Sequence, residues 1–229
     1  MQRDPAGYAL VHRNGAPCRA ADLPGFFQAV EWALTEACLA GLGSFLQVHA
    51  GVVALHGQTW LLAGPPECGK TSLVLGLVAA GATVLTDEVA LLDPLILHLS
   101  PFPRDLIVRR GTERRFAGIL PGPVPAFKRF PEHCYLSPAD LGPPAVGPLP
   151  VSHLVFPCLA PARSPGRRPL GQAEAARRLL DQALNLDRWG GRGVEAVAAL
   201  VERCPAVEVV FADGRIAARS LLAAIAAKV

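Results

Sequence analysis

Eight consecutive residues, Gly64-Pro65-Pro66-Glu67-Cys68-Gly69-Lys70-Thr71, constrain this chain more than any other feature. They fit the pattern G-x-x-x-x-G-K-[ST]. That pattern has physical content only when a strand delivers the loop and a helix leaves it. Both flanks are present. Gln58 to Ala63 is β-rich, and Lys70 to Ala80 reads as a helix that Gly81 stops. Glycines let the backbone approach an anion, and the loop amides with the helix N-terminus present partial positive charge to phosphate oxygens. Gly64, Pro65, Pro66, Glu67, Cys68, Gly69, Lys70, Thr71 and Ser72 are therefore the expected nucleotide-binding residues. Lys70 is expected to neutralise the β- and γ-oxygens of ATP, and Thr71 to offer its hydroxyl to Mg²⁺, which prefers oxygen ligands. Only three lysines occur (Lys70, Lys128 and Lys228), so one inside the motif carries weight. Cys68 has no assigned chemical role and reads as loop filler, with thiolate character and oxidation sensitivity at the helix start as the alternative.

The surrounding chain sets the architecture. Gln47 to Leu55 and Gln58 to Ala63 are separated only by His56-Gly57, a connection too short for anything but antiparallel neighbours. A hairpin thus feeds the loop. Upstream, Tyr8 to Arg13 reads as a strand and Asp22 to about Ala40 as a helix with Asp22 as its N-cap. Downstream come strands at Ala82 to Thr86, Val89 to Leu92, Leu95 to Leu99, His153 to Leu159 and Val207 to Ala212. Helices are expected near Ala173 to Asn185, Val194 to Arg203 and from Ile216. Pro101 to Pro150, rich in Pro and Gly, reads as irregular, largely exposed chain with some extended segments, and Pro161 to Pro169 as a turn. Residues 1–46 form a β-α lead-in and residues 47–229 the main domain, together one compact body.

Asp87-Glu88 is the second constellation, and helix and strand geometry locate it. The helix from Lys70 carries the chain about 16 Å away at 1.5 Å per residue. The strand Ala82 to Thr86 returns it by about 16 Å at 3.3 Å per residue. The two carboxylates come back to the level of the phosphates. Because adjacent strand residues point to opposite faces, the two acids hold different roles, one toward an incoming hydroxyl and the other toward the metal or a supporting partner.

Composition excludes more than it selects. A formal charge of +3 is too small to argue for nucleic acid or an acidic membrane surface, and no apolar run reaches the ~20 residues of a bilayer span. The six cysteines show no CxxC pair or zinc-ligand spacing, and the N-terminal residues lack the apolar stretch of a secretory signal. A cytoplasmic protein with reduced thiols is expected.

Val48-His49-Ala50, Gly64 through Thr71, and Thr86-Asp87-Glu88-Val89 together resemble the HPr kinase/phosphorylase family, especially its shorter kinase-like members. The resemblance is specific around the loop and extends more loosely through Pro101-Phe102-Pro103-Arg104 to the C-terminal part. It implies an α/β fold of the HPr kinase and phosphoenolpyruvate carboxykinase type: a mixed sheet with a hairpin before the P-loop. It further implies an ATP- and Mg²⁺-dependent kinase whose acceptor is a serine of a protein or peptide. Asp87 would be the general base, Glu88 a metal ligand with Thr71, and His49 a neighbour of Asp87 or the phosphates. Arg104, after its Pro-Phe-Pro turn, is placed to clamp phosphate or an acidic substrate. Arg109, Arg110, Arg114 and Arg115 read as a solvated basic face or a docking patch. Two departures stand out. The chain before Gln47 is too short for the family's separate N-terminal domain, and Pro65-Pro66-Glu67-Cys68 replaces the small residues usual in the loop. HPr itself and the phosphorolysis reaction are not carried over, whereas peptide acceptors occur among the short relatives. A small-molecule kinase and a nucleotide-binding module without transfer are the competing functions. A homo-oligomer is left open.

Overall fold

The computed structural model describes residues 2–4, 7–10, 18–120 and 122–226. In chain order the elements are β1 (Gln2–Asp4), β2 (Gly7–Leu10), β3 (Cys18–Ala20), α1 (Leu23–Gly41), β4 (Leu46–Leu55), β5 (Gln58–Ala63), α2 (Lys70–Val78), β6 (Thr83–Thr86), β7 (Val89–Leu92) and β8 (His98–Ser100). Then follow β9 (Leu106–Arg109), α3 (Arg110–Phe116), β10 (His133–Leu136), β11 (Leu149–Pro150), β12 (His153–Leu159), β13 (Gly166–Pro169), α4 (Gln172–Leu180), α5 (Leu186–Trp189), α6 (Gly191–Arg203), β14 (Ala206–Phe211) and α7 (Gly214–Ala226). Residues 11–13 of the expected first strand lie outside the described residues, as does Lys228. Among the described residues no helix is long and apolar enough to cross a membrane.

The chain divides into two compact units, one of residues 1–42 with 107–136 and the other of residues 43–106 with 137–229. The lead-in expected over 1–46 thus ends at Leu42 and is joined by Ile107–Leu136, a stretch the sequence reading placed in the main domain. Aromatic packing explains the union. Phe27 on α1 meets the rings of Phe127 and Tyr135 edge-on at centroid distances of 5.4 and 5.1 Å, and Gln28 Nε2 donates to the Tyr135 hydroxyl at 3.2 Å. Asp22 caps α1 as expected, its carboxylate accepting from Gly25 N at 2.8 Å. Extended segments expected in this stretch are present as the paired strands β9 and β10, and the helix α3, which was not expected, joins them, with Phe116 and Tyr135 buried. Its prolines and glycines punctuate these short elements without abolishing them.

The second unit is α/β, built on a curled mixed sheet of nine strands in the order β11-β8-β7-β4-β5-β12-β14-β13, with β6 also paired to β4. The hairpin β4–β5 is antiparallel, as the two-residue connection requires, whereas β12 runs parallel to both β5 and β14. Strand β4 is buried along almost its whole length, and its alternation splits its side chains between two faces. Leu46, Val48, Ala50 and Val52 join a core with Leu179 of α4 and Val197 and Leu200 of α6. On the other face Gly51 approaches Val74 of α2. The backbones of α2 and α7 come so close that a side chain on Gly76 would strike the carbonyl of Gly214.

Three local expectations change. Leu95 to Leu99 is not one strand, because Asp93 Oδ1 accepts from Leu95 N and Ile96 N at 2.8 and 3.3 Å, folding residues 93–97 into a turn. Only His98–Ser100 pairs with β7. Residues 166–169, read as part of a turn, form β13 against β14, where Arg168 bonds Glu174 and Glu208. The helix expected to Asn185 stops at Leu180, since residues 182–184 turn alongside β4: Gln182 O accepts from His49 N at 2.8 Å, and Leu184 N donates to Gln47 O at 2.8 Å.

Candidate functional site

The phosphate-loop motif leaves β5 and enters α2 as its sequence demands. Glu67 and Gly69 adopt positive φ (67° and 97°), which Gly69 accommodates without a side chain. A Cβ at Gly69 would also meet Phe211 Cζ at 2.8 Å and Leu159 Cβ at 2.9 Å. The loop is pinned to β12 by a hydrogen bond from Leu159 N to Cys68 O of 2.8 Å. Pro65, Pro66 and Glu67 are exposed, while Gly64, Lys70 and Ser72 are buried. The Lys70 ammonium curls back over the loop and donates to Gly64 O at 2.7 Å and Pro65 O at 3.2 Å. Both acceptors are loop carbonyls, so the charge is held over the loop itself.

Asp87 returns to the loop as the helix and strand lengths require. Thr71 Oγ1, on the first turn of α2, donates to Asp87 Oδ2 at 2.7 Å. Asp87 is 3% exposed, and its second oxygen, Oδ1, has no hydrogen-bond partner. Burial raises its pKa from the ordinary 3.8 to about 7; the Thr71 hydrogen bond and the charges of Lys70 and Arg104 oppose this, and neighbouring Glu88 adds to it. The two acids do have different partners. Glu88, at the mouth of the site, faces His49, whose Nε2 lies 3.7 Å from Glu88 Oε1. Burial and then the Lys70 charge lower the His49 pKa, partly offset by Glu88 and by a hydrogen bond with the Gln182 side chain. Arg104 is buried, with its backbone turn held beside β6 by a hydrogen bond from Phe102 N to Leu85 O of 3.0 Å.

Lys70, Thr71, Asp87, Glu88, His49 and Arg104 thus converge, and Cys68 has the character of loop filler. Burial pushes its thiol up, and the Lys70 charge only partly counters this. Arg109, Arg110, Arg114 and Arg115 are exposed residues of the first unit.

Three contributors escaped the sequence reading. Gly51 lies against Asp87, and a Cβ there would sit 2.8 Å from Val74 Cγ2 and 3.3 Å from Asp87 Oδ1. A glycine inside a strand was the available signal. Thr86 Oγ1 accepts from Glu88 N and Val89 N, both at 3.4 Å, shaping the corner that turns the two carboxylates apart; Thr before Asp-Glu was the clue. Gln182, which holds His49, had no local signal, because it arrives from the far end of α4.

Beside the loop lies a cavity of about 450 Å³ lined in part by Gly64, Pro65, Cys68, Phe156, Arg178 and Gln182. Among the described residues no three His, Cys, Asp or Glu side chains cluster as a metal-ligand group. Magnesium held with a nucleotide needs only one or two protein oxygens, the rest coming from phosphate and water. Thr71 Oγ1 and the unpartnered, buried Asp87 Oδ1 fit that requirement. No protein-family description matches this chain, and no curated protein matches it.

Proposed function

We propose that this chain is an ATP-dependent kinase that moves the γ-phosphoryl group onto a serine hydroxyl of a protein or peptide. The observation that carries the reading is the 2.7 Å hydrogen bond from Thr71 to Asp87, which ties a phosphate-loop helix to a buried acid. The motif and its flanks support nucleotide binding. The likeness of Val48-His49-Ala50 and Thr86-Asp87-Glu88-Val89 to the HPr kinase/phosphorylase family supports a serine acceptor. The cytoplasm, which supplies ATP and keeps thiols reduced, is the compartment this reading takes.

In the proposed reaction Lys70 exchanges its loop carbonyls for phosphate oxygens, and the loop backbone holds the nucleotide in line with the acceptor. Asp87 takes the hydroxyl proton as the serine oxygen forms its bond to phosphorus and the bond to the ADP oxygen breaks. A base with a pKa near 7 is matched to that task at neutral pH. Thr71 fixes one Asp87 oxygen and leaves Oδ1 to act. Arg104 adds a positive charge beside the acid, and His49 with Glu88 borders the mouth through which an acceptor enters. Bound Mg²⁺ would supply charge withdrawal from the phosphoryl oxygens, with Thr71 and an acid holding it.

The Thr71 bond also favours a second assignment, in which Asp87 faces the metal and Glu88 the hydroxyl. A magnesium titration separates the two. If Asp87→Asn binds nucleotide at unchanged Mg²⁺ but labels no serine from radioactive ATP, Asp87 is the base; if it needs more Mg²⁺ to bind, it is the ligand. Label on a metabolite alone would indicate a small-molecule kinase. Tight ATP binding without transfer to any acceptor would indicate a nucleotide-binding module. A wild-type protein that binds no nucleotide would end the proposal altogether.

A further inference from the structure

The first unit carries a basic face. Between residues 107 and 136 six basic side chains stand against two acidic ones, Glu113 and Glu132, whereas the rest of the chain is close to neutral. Helix α3 concentrates the charge. It buries Phe116 and is tied at its start by a hydrogen bond from Arg110 N to Glu132 O of 3.0 Å, so its arginines are displayed from an anchored element. Arg109, Arg110, Arg114 and Arg115 are all exposed. The one acid on the helix, Glu113, is already engaged by Arg129 at 2.8 Å. Among the described residues neither Arg110 nor Arg114 makes an ion pair. The Glu113–Arg129 contact brings the next turn close, where Lys128 lies over the Phe27 ring at 5.4 Å and Phe127 keeps an exposed edge.

We propose that this face is a docking surface for an acidic polypeptide segment whose carboxylates pair with Arg110 and Arg114. The two positions are four apart on a helix and so share a face, with about 5–6 Å between their Cβ atoms. Alternate residues of an extended chain, at about 3.3 Å each, present carboxylates at nearly the same spacing. Arginine suits carboxylates because its planar fork accepts them bidentately. The exposed Phe127 edge offers an apolar anchor beside the charges, as peptide-binding surfaces use. Nucleic acid fits less well. Its affinity draws on many phosphate contacts along a track, and beyond residues 107–136 the chain has no excess of positive charge.

The surface acts in binding and does not depend on phosphoryl transfer. Fluorescence anisotropy of the full chain, without nucleotide, is measured with a short Glu-rich peptide, a Ser/Gly-rich peptide and a single-stranded oligonucleotide matched in charge to the first. The acidic peptide is expected to bind best and to weaken as salt rises. The Arg110→Glu/Arg114→Glu protein should lose at least about tenfold in affinity, and Arg167→Gln, at an exposed position of β13, none. Circular dichroism checks the fold, and Arg110→Gln/Arg114→Gln takes the place of the reversal should that variant unfold. Equal binding of the neutral peptide, unchanged affinity in the folded variants, or preference for the oligonucleotide would overturn the inference.

Discussion

Asp87 should make the native protein less stable as pH rises, and Asp87→Asn should abolish that dependence. The carboxyl sits in a site that penalises its ionised form, so its pKa lies near 7 when folded and near 3.8 when the chain is open. Between those values the native state holds a proton that the unfolded state has released. Its stabilising contribution is complete below the unfolded pKa and is lost as pH climbs through the folded one. Three pKa units at 1.36 kcal/mol each correspond to about 4 kcal/mol in total, of which about 3 kcal/mol falls between pH 4.5 and 8. Asparagine keeps the shape and an oxygen for the Thr71 hydroxyl but cannot ionise. Urea unfolding of both proteins across that range should show the variant gaining about 3 kcal/mol over the wild type as pH rises, since every other titrating group is shared. A difference that stays flat would show that Asp87 is not buried in its charged form. One that runs the opposite way would mean the carboxylate is better paired folded than unfolded, with a depressed pKa and no fitness as a base near neutrality.

Three further outcomes follow from the same contacts. Gly51→Ala should lower stability by about 1–3 kcal/mol in thermal or urea unfolding, because its Cβ would press on Val74 and the Asp87 carboxylate; an unchanged midpoint would mean that α2 yields freely. Cys68 should react with maleimide more slowly than exposed Cys38 at pH 7.5, as followed by peptide mass, and equal rates would show that its burial does not protect the thiol. Gln182→Ala should shift the His49 titration to lower pH by NMR, since the lost hydrogen bond favours the charged ring, and an unmoved or raised midpoint would remove Gln182 as the group that holds it.

What could be read in the sequence is what depends on neighbours along the chain. The hairpin β4–β5 follows from a two-residue connection, the loop-to-helix transition from its glycines, and the return of Asp87 to Thr71 from the rise per residue of one helix and one strand. Each is a local length or a local conformation. The division into units was not legible, because Phe27 and Tyr135 are more than a hundred residues apart and an aromatic contact has no periodicity to announce it. The places of the short elements in residues 107–136 were hidden for a related reason: proline and glycine mark where elements stop, which leaves little more than unplaced extended segments legible when the elements are as short as β9 and α3.

The chemistry of the acid pair illustrates the same divide. Asp87 and Glu88 are adjacent, and the pleat alone says that they face differently, yet nothing in that dipeptide says which one is desolvated. That is decided by β4, which packs Gly51 against Asp87 and puts His49 beside Glu88. A residue with any side chain at Gly51 would have to displace the Asp87 carboxylate or α2, opening the pocket that raises the pKa. A glycine on another strand is therefore one of the groups that bury the candidate base, and what it contributes is the absence of a Cβ. Burial by a bare backbone can tune an acid toward neutral pH without introducing a competing hydrogen-bond donor, and it leaves Asp87 Oδ1 unpartnered for a substrate or an ion.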